Sequence, residues 1–162
     1  MKFLRAFTIC VSAVLVMLFA AACGGDTTSE SSSAGSIVGV ANEYKDGTYK
    51  VSAPNYDDSG YKATVEVTVK DGKVFAVDCN ADAKDGSTKK AYSESGNYGM
   101  KKGGAQYEWH EEIAFFEKHV VENGIASVGV NKDGKTDAIT GCTIAVADYV
   151  DLINEALDKA KK

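Results

Sequence analysis

Apolar and polar residues alternate most regularly between Tyr61 and Lys70. The odd positions of this stretch are apolar and the even positions are Lys, Thr or Glu, which predicts a strand with one buried face. Asp71-Gly72 follows, a strong signal for a two-residue hairpin turn, and residues 73–79 are the predicted partner strand. Residues 46–53 predict another strand, so the pattern indicates an antiparallel sheet built on a central hairpin.

The register of this hairpin has two solutions. A two-residue turn pairs Val69 with Val74 and Val67 with Ala76. It also places Phe75 and Val77 on the opposite face, beside polar side chains of the first strand. Either that face is partly covered, or a bulge shifts the register. The sequence leaves both open.

Two later stretches have the period of amphipathic helices. In residues 108–122 the apolar side is Trp109, Ile113, Phe116 and Val120, and the other side is Glu111, Glu112, Lys118 and Glu122. The second helix is predicted from Thr143 to about Lys159, with Val146, Val150, Ile153 and Leu157 on one face. The expected fold is therefore α+β, an antiparallel sheet with a central hairpin packed by two main helices.

The N-terminal segment has the pattern of a signal sequence. Basic residues precede an apolar run at 6–22, which ends in Ala20-Ala21-Ala22 before Cys23. Small residues before a cysteine resemble the lipobox of bacterial lipoproteins; an ordinary secretory signal is the alternative. We expect residues 1–22 to be a lipoprotein signal peptide, 23–43 the lipidated Cys23 with a flexible linker, and 44–162 the folded domain.

The net charge of the chain and the spacing of its histidines argue against nucleic-acid binding and against a zinc site. The formal net charge is −5, and it becomes −7 when residues 1–22 are removed, because two basic residues leave and no acidic residue does. This disfavours nucleic acid as a partner. A His-Glu-x-x-His zinc motif at His110 would need His at position 114, where Ala114 stands, so no metal site is predicted. Cys79 and Cys142 either form a disulfide or are small buried thiols.

A short polar segment precedes the last predicted helix. Asp137, Thr140 and Gly141 are turn formers, and Thr143 is predicted at the start of the helix. A hydroxyl there would lie beside unpaired N–H groups and the positive end of the helix dipole, a favourable site for phosphate. The alternative is that Thr140 or Thr143 only caps the helix.

These residues carry a resemblance to a known family. Residues 137–143, Asp-Ala-Ile-Thr-Gly-Cys-Thr, resemble the attachment motif of extracytoplasmic FMN-binding domains: Asp, two variable residues, Ser or Thr, Gly, Ala, then Thr or Ser. Cys142 replaces the usual Ala. Residues 98–111, from Tyr-Gly-Met to Trp-His-Glu, resemble the segment before the central helix in a lipoprotein subgroup of that family.

The resemblance implies a covalent flavin. FMN would be joined to Thr143 through a phosphoester bond by a separate flavin transferase that uses FAD. The cofactor-binding residues would be Thr143 itself, its motif neighbours and three residues of the upstream segment: Asp137, Thr140, Gly141, Cys142, Tyr98, Met100 and Trp109.

The implied function is extracytoplasmic electron transfer. The protein would be lipid-anchored through Cys23 on the outer side of a bacterial cytoplasmic membrane. It would pass electrons from a membrane dehydrogenase or quinone-linked donor to an external acceptor. No nucleophile–base pair for turnover is visible in the sequence, so no catalytic residue is predicted and a carrier is expected rather than an enzyme. Two alternatives stay open: a non-redox surface lipoprotein that binds a ligand or partner, and a precursor whose signal segment is released as a pheromone.

Overall fold

Three antiparallel strands and three helices form the part of the chain that this computed structural model describes, residues 43–162. The strands are β1 (Gly47–Ser52), β2 (Tyr61–Lys70) and β3 (Lys73–Ala83), in that order across the sheet. The helices are α1 (Lys89–Glu94), α2 (Trp109–Asn123) and α3 (Ala147–Ala160). The predicted α+β fold is confirmed. The predicted signal peptide, Cys23 and all but the last residue of the predicted linker lie outside the described residues.

One face of the sheet forms the hydrophobic core. Helix α2 packs against β3, and α3 packs against β1 and β2. Each fully buried Val, Ile or Phe contributes about 1.5–3 kcal/mol relative to an exposed one. The buried side chains include Val65, Val67 and Val69 of β2, Ile113, Phe116 and Val120 of α2, and Ile153, Ala156 and Leu157 of α3.

The hairpin turn between β2 and β3 forms as predicted. Asp71 and Gly72 both have positive φ, 52° and 71°, as a type I′ turn requires. The Asp46 carboxylate accepts the N–H groups of Asp71 and Gly72 at 3.0 and 2.8 Å. The turn is thereby joined to the residue that precedes β1.

A β-bulge decides the register of the hairpin. Val69 pairs with Val74 as predicted, but Val67 pairs with Val77 rather than with Ala76, and the register shifts between Thr68 and Val69. Phe75 is left without a paired residue and is 62% exposed. Of the two solutions, the shifted register is the correct one, because it turns Val77 toward the core.

The last helix begins later than predicted. Helix α3 starts at Ala147 instead of Thr143. The N–H groups of Val146 and Ala147 both donate to the Gly134 carbonyl, at 2.7 and 3.1 Å, so this loop carbonyl fixes where the helix can begin. Neither Thr140 nor Thr143 caps α3: its N-cap residue is Val146, which makes no side-chain cap bond. The capping interpretation is therefore wrong.

Residues 80–105, whose sequence has no clear hydrophobic period, contain structure that the pattern did not predict. Strand β3 runs to Ala83, four residues beyond its predicted end, and the six-residue helix α1 follows. Thr88 caps α1 by accepting the N–H of Ala91 at 3.4 Å. Such a short helix has fewer than two full turns, too few for a periodic signal.

Three further observations bear on function. Within residues 43–162, no helix is both long and apolar enough to cross a membrane. Cys79 and Cys142 are free, buried thiols and form no disulfide with each other. No group of three or more His, Cys, Asp or Glu side chains in the described residues is arranged to hold a metal ion.

Candidate functional site

A cavity of about 770 Å³ lies where the loops before β2, α2 and α3 meet. Its volume falls within the range of about 300–1,000 Å³ typical of small-molecule sites. Four of the predicted site residues line it: Thr143, Tyr98, Met100 and Trp109. The structure therefore brings Thr143 to the same cavity as three residues of the upstream segment.

Aromatic rings surround a lysine on the wall of this cavity. The Lys89 ammonium nitrogen lies 5.1 Å from the ring centroids of Tyr61 and Tyr98, and 5.0 Å from the Trp109 ring. Cation–π contacts of this length are attractive. Within residues 43–162 no carboxylate oxygen lies within 4 Å of this ammonium in an ion pair. Among the described residues, its positive charge therefore has no direct carboxylate partner.

Trp109 belongs to both the core and the cavity wall. The sequence placed it on the apolar side of α2, and the family resemblance placed it at the cofactor. The side chain is 3% exposed and lines the cavity. Its ring packs against Tyr149, with centroids 6.3 Å apart. Burial raises the pKa of Tyr149 well above its usual range, so this phenol is neutral at physiological pH.

A buried carboxylate fixes the loop that carries Met100. Glu108 accepts the N–H groups of Met100 and Lys101 at 2.9 and 3.2 Å. Its own N–H donates to the Glu111 carboxylate at 2.8 Å, and the two glutamates form a capping box at the start of α2. Met100 is held against the helix that supplies Trp109. Glu108 was not among the predicted site residues.

Glu112 is the principal residue that the sequence analysis missed. It was predicted on the polar side of α2, but it is only 1% exposed, and that prediction is wrong. Its Oε2 accepts the N–H groups of Thr143 and Ile144 at 2.5 and 3.1 Å. The Thr143 hydroxyl donates to the same carboxylate, 3.0 Å from Oε1 and 2.9 Å from Oε2. Position 112 follows Trp109 by three residues, a spacing that places it beside the apolar face.

Thr143 remains accessible despite these bonds. Its residue is exposed and forms part of the cavity wall. Because its N–H and that of Ile144 donate to Glu112, these groups do not point free toward an anion. The predicted placement of Thr143 at the N-terminus of α3 is wrong, because the helix begins four residues later, at Ala147. The cations that line the cavity are instead Lys89 and Lys135.

The other motif residues do not line the cavity. Thr140 is exposed and lies in a separate open groove of about 300 Å³, together with Phe115, Lys118, His119, Glu122, Ala138 and Ile139. Asp137 is also exposed. The two threonines of the motif thus face different surroundings, and only Thr143 adjoins the larger cavity.

Gly141 lies in a tight turn beside two aromatic rings. Its φ is +84°, and a Cβ built on it would lie 3.0 Å from Cε2 of Phe115 and 3.1 Å from Cε2 of Tyr107. These two rings pack edge to face, with centroids 4.9 Å apart. Glycine suits this position because the positive φ strains any other residue and an added Cβ would press on both rings. The structure gives no contact between this position and the cavity.

Cys142 occupies a small apolar site. Its side chain belongs to the core and is 4% exposed. Burial, together with the negative charge of Glu112, raises the pKa of this thiol to about 11, so it is protonated at neutral pH. A small uncharged side chain suits the position, and alanine, the usual residue of the resembled motif, meets the same requirement.

The cavity has the chemical groups that a flavin mononucleotide would need. The aromatic side chains of Tyr98, Trp109 and Tyr149 are among the lining residues, and aromatic rings are suitable contacts for a flat heterocycle. Lys89 and Lys135 offer positive charge for a phosphate, and Thr143 offers an exposed hydroxyl. Asp57 and Asp148 also line the cavity and are its negative groups. This donor set fits the group that the family resemblance implies.

Comparison with known proteins places the chain among clostridial relatives. It matches no family model and no curated protein. The solution NMR structure of a Clostridium thermocellum protein is 44% identical, has a TM-score of 0.55, and covers 73% of this chain and 93% of its own. The chain belongs to the same family as this protein. A second member of this fold, the crystal structure of the CPE2226 protein from Clostridium perfringens, is 27% identical, has a TM-score of 0.57, and covers 72% of this chain and 88% of its own.

Proposed function

We propose that the protein is an extracytoplasmic electron carrier whose FMN is joined to Thr143 through a phosphoester bond. One observation carries the proposal: the exposed Thr143 hydroxyl adjoins a cavity of small-molecule size whose wall also contains Tyr98, Met100 and Trp109. The family resemblance rests on two segments of sequence far apart in the chain, and both contribute to this one cavity.

Different residues of the cavity would contact different parts of the cofactor. The rings of Tyr98, Trp109 and Tyr149 would pack against the flavin ring, and Lys89 and Lys135 would offset the charge of the phosphate. Thr143 would supply the covalent attachment. When bound, FMN supplies the electron-transfer chemistry, and the protein orients the flavin and sets its electrostatic surroundings.

The proposed location rests on the predicted lipobox at Cys23, and the proposed partners rest on the family resemblance. Lipidation of Cys23 would hold the domain at the outer side of a bacterial cytoplasmic membrane. A membrane dehydrogenase or quinone-linked enzyme would be the electron donor, an external molecule or protein the acceptor, and a flavin transferase the maturation partner. The acidic net charge of −5 fits none of the nucleic-acid functions.

The decisive experiment is intact and peptide mass spectrometry of protein produced together with a flavin transferase. The wild type should gain the mass of FMN less one water, on the peptide that contains Thr143. Thr143→Ala should lose this addition. Thr140→Ala is the matched control, because Thr140 lies in the other groove, and it should keep the addition.

Each other result contradicts a defined part of the proposal. If Thr143→Ala keeps the added mass, the attachment site is wrong and Thr140 becomes the candidate. If the wild type never gains it, the covalent carrier is excluded. The cavity would then belong to a non-redox lipoprotein that binds a small ligand, the alternative function from the sequence.

A further inference from the structure

The carboxylate of Glu112 is placed to receive a proton from the Thr143 hydroxyl. Both of its oxygens lie within hydrogen-bond distance of Thr143 Oγ1, at 3.0 and 2.9 Å. A hydroxyl is a weak nucleophile, and an adjacent base within about 2.6–3.2 Å is the usual means of activating it. This pair was invisible in the sequence, because 31 positions separate its members.

The two carboxylate oxygens have different surroundings. Oε2 accepts the backbone N–H groups of Thr143 and Ile144. Oε1 has the Thr143 hydroxyl as its hydrogen-bond partner among residues 43–162. A proton can therefore move to Oε1 while Oε2 keeps the loop in place. In the same part of the chain no Lys, Arg or His forms an ion pair with Glu112, so no cation competes for its charge.

Building on the proposed function, we propose that Glu112 is the general base for attachment of the flavin to Thr143. Thr143 Oγ1 forms a bond to the phosphorus on the FMN side of the FAD pyrophosphate. The bond from that phosphorus to the bridging oxygen breaks, and AMP leaves with its electron pair. The hydroxyl proton passes to Glu112 Oε1, and no oxidant or reductant is required. The acceptor protein thus supplies part of the catalytic machinery for its own modification.

The transfer also removes an electrostatic conflict. The phosphodiester formed on Thr143 carries a negative charge close in space to the Glu112 carboxylate, whose oxygens lie 3.0 and 2.9 Å from Thr143 Oγ1. Like charges at such a short distance in a protein interior repel strongly. Protonation makes Glu112 neutral as the phosphodiester forms, so the two negative charges are not held together. The backbone N–H groups at Oε2 retain an acceptor throughout.

Glu112→Gln separates the chemical role from the structural one. The Gln Oε1 can accept the N–H groups of Thr143 and Ile144, and its NH₂ group can donate to Thr143 Oγ1, but an amide cannot take up the proton. Glu117→Gln is the matched control. Glu117 is a largely buried carboxylate on the same helix. Its Oε1 accepts from the Lys90 ammonium and from the Cys79 N–H, each at 2.6 Å, and it has no hydrogen bond with Thr143.

The test follows flavin incorporation by mass with purified transferase, FAD and a series of acceptor-protein concentrations. Glu112→Gln should lower the maximal loading rate by about 10²-fold or more and leave the acceptor concentration for half-maximal rate unchanged. Glu117→Gln should load like the wild type. A folded Glu112→Gln protein that loads at the wild-type rate overturns the inference while leaving the proposed function intact. A wild type that never loads overturns the proposed function itself.

A second variant tests the base by chemical rescue. Glu112→Ala leaves space beside Thr143 that a formate ion can enter. Formate should then raise the loading rate of Glu112→Ala in a concentration-dependent way, whereas chloride at equal ionic strength should not. Absence of any formate-specific increase in that variant would refute a base at this position.

Discussion

The Thr143 hydroxyl donates to the buried Glu112 carboxylate at 2.9 and 3.0 Å, and so joins the loop before α3 to the first turn of α2. Two backbone N–H groups of that loop bind the same carboxylate. The conformation of the candidate attachment residue is therefore determined by a second helix, not by the helix that follows it in the chain.

Thr143→Ala should destabilise the flavin-free protein more than Thr140→Ala. It removes a hydrogen bond to a buried charged group, which costs about 1.5–3 kcal/mol, although Glu112 keeps its two backbone donors. Thr140 is exposed, so its change should stay within about 0.5 kcal/mol. Urea unfolding of both variants measures the difference. Equal stabilities would mean that the Thr143–Glu112 hydrogen bond contributes nothing.

Gly141→Ala should be more destabilising than Gly60→Ala. Both glycines have a φ of +84°, so the backbone strain is common to both, about 1–2 kcal/mol for a non-glycine residue. Only at position 141 would the added Cβ meet Phe115 at 3.0 Å and Tyr107 at 3.1 Å, whereas nothing lies within 4 Å at position 60. The additional loss in the free energy of unfolding of Gly141→Ala over Gly60→Ala measures that clash, typically about 1–3 kcal/mol. Equal losses in thermal or urea unfolding would contradict the tight packing of this turn.

Lys89→Met should lower the midpoint potential of the loaded protein. A positive charge beside the flavin stabilises the electrons that reduction adds, and its removal favours the oxidised state. Lys70→Met is the control, because it removes the same charge from a lysine that lies 5.4 Å from the Phe75 ring and outside the cavity. Redox titration compares the two variants.

The same Lys89→Met variant can be examined without flavin. Trp109 is the single tryptophan of the chain, and the Lys89 ammonium lies 5.0 Å from its ring. The emission of flavin-free protein should change in Lys89→Met and stay constant in Lys70→Met. In the flavin-loaded proteins, a midpoint potential that shifts equally in Lys89→Met and Lys70→Met would point to the net charge of the protein instead of to the cavity.

The stability of the protein should fall with rising pH between about 9 and 11, and Cys142→Ala should reduce that fall. The pKa of the Cys142 thiol is raised from 9.0 to about 11 by burial and by Glu112. In this interval the unfolded chain loses the proton and the folded chain keeps it, so unfolding becomes more favourable. The contribution of one group is at most about 1.4 kcal/mol per pH unit. Urea unfolding under reducing conditions from pH 8 to 11 measures it; parallel curves for both proteins would exclude the effect.

Cys23→Ser should release the protein from the membrane. The predicted lipid on Cys23 is the proposed anchor, and its buried acyl chains supply the affinity. When cells that produce the variant are fractionated, the protein should be found in the medium or wash instead of in the membrane fraction. Unchanged, detergent-requiring retention of Cys23→Ser would argue against a lipoprotein.

Local patterns predicted the elements well where they were long and regular. The alternation in β2 and the four apolar residues of α2 gave the correct bounds within a residue, because period and burial coincide there. Helix α1 has six residues and gave no such signal. The start of α3 was misplaced because the Gly134 carbonyl, a distant partner, takes the N–H groups that define it.

By itself, the sequence determined the α+β class, the hairpin at Asp71-Gly72 and the two segments that carry the family resemblance, since each depends on neighbouring residues. Only the tertiary structure decided that Tyr98, Trp109 and Thr143 share one cavity while Thr140 faces another. Only the tertiary structure showed that Glu112 is buried, because the free-energy cost of burying a carboxylate depends on the hydrogen-bond donors around it. Those donors, the N–H groups of Thr143 and Ile144, lie in a loop that no local pattern could connect with α2.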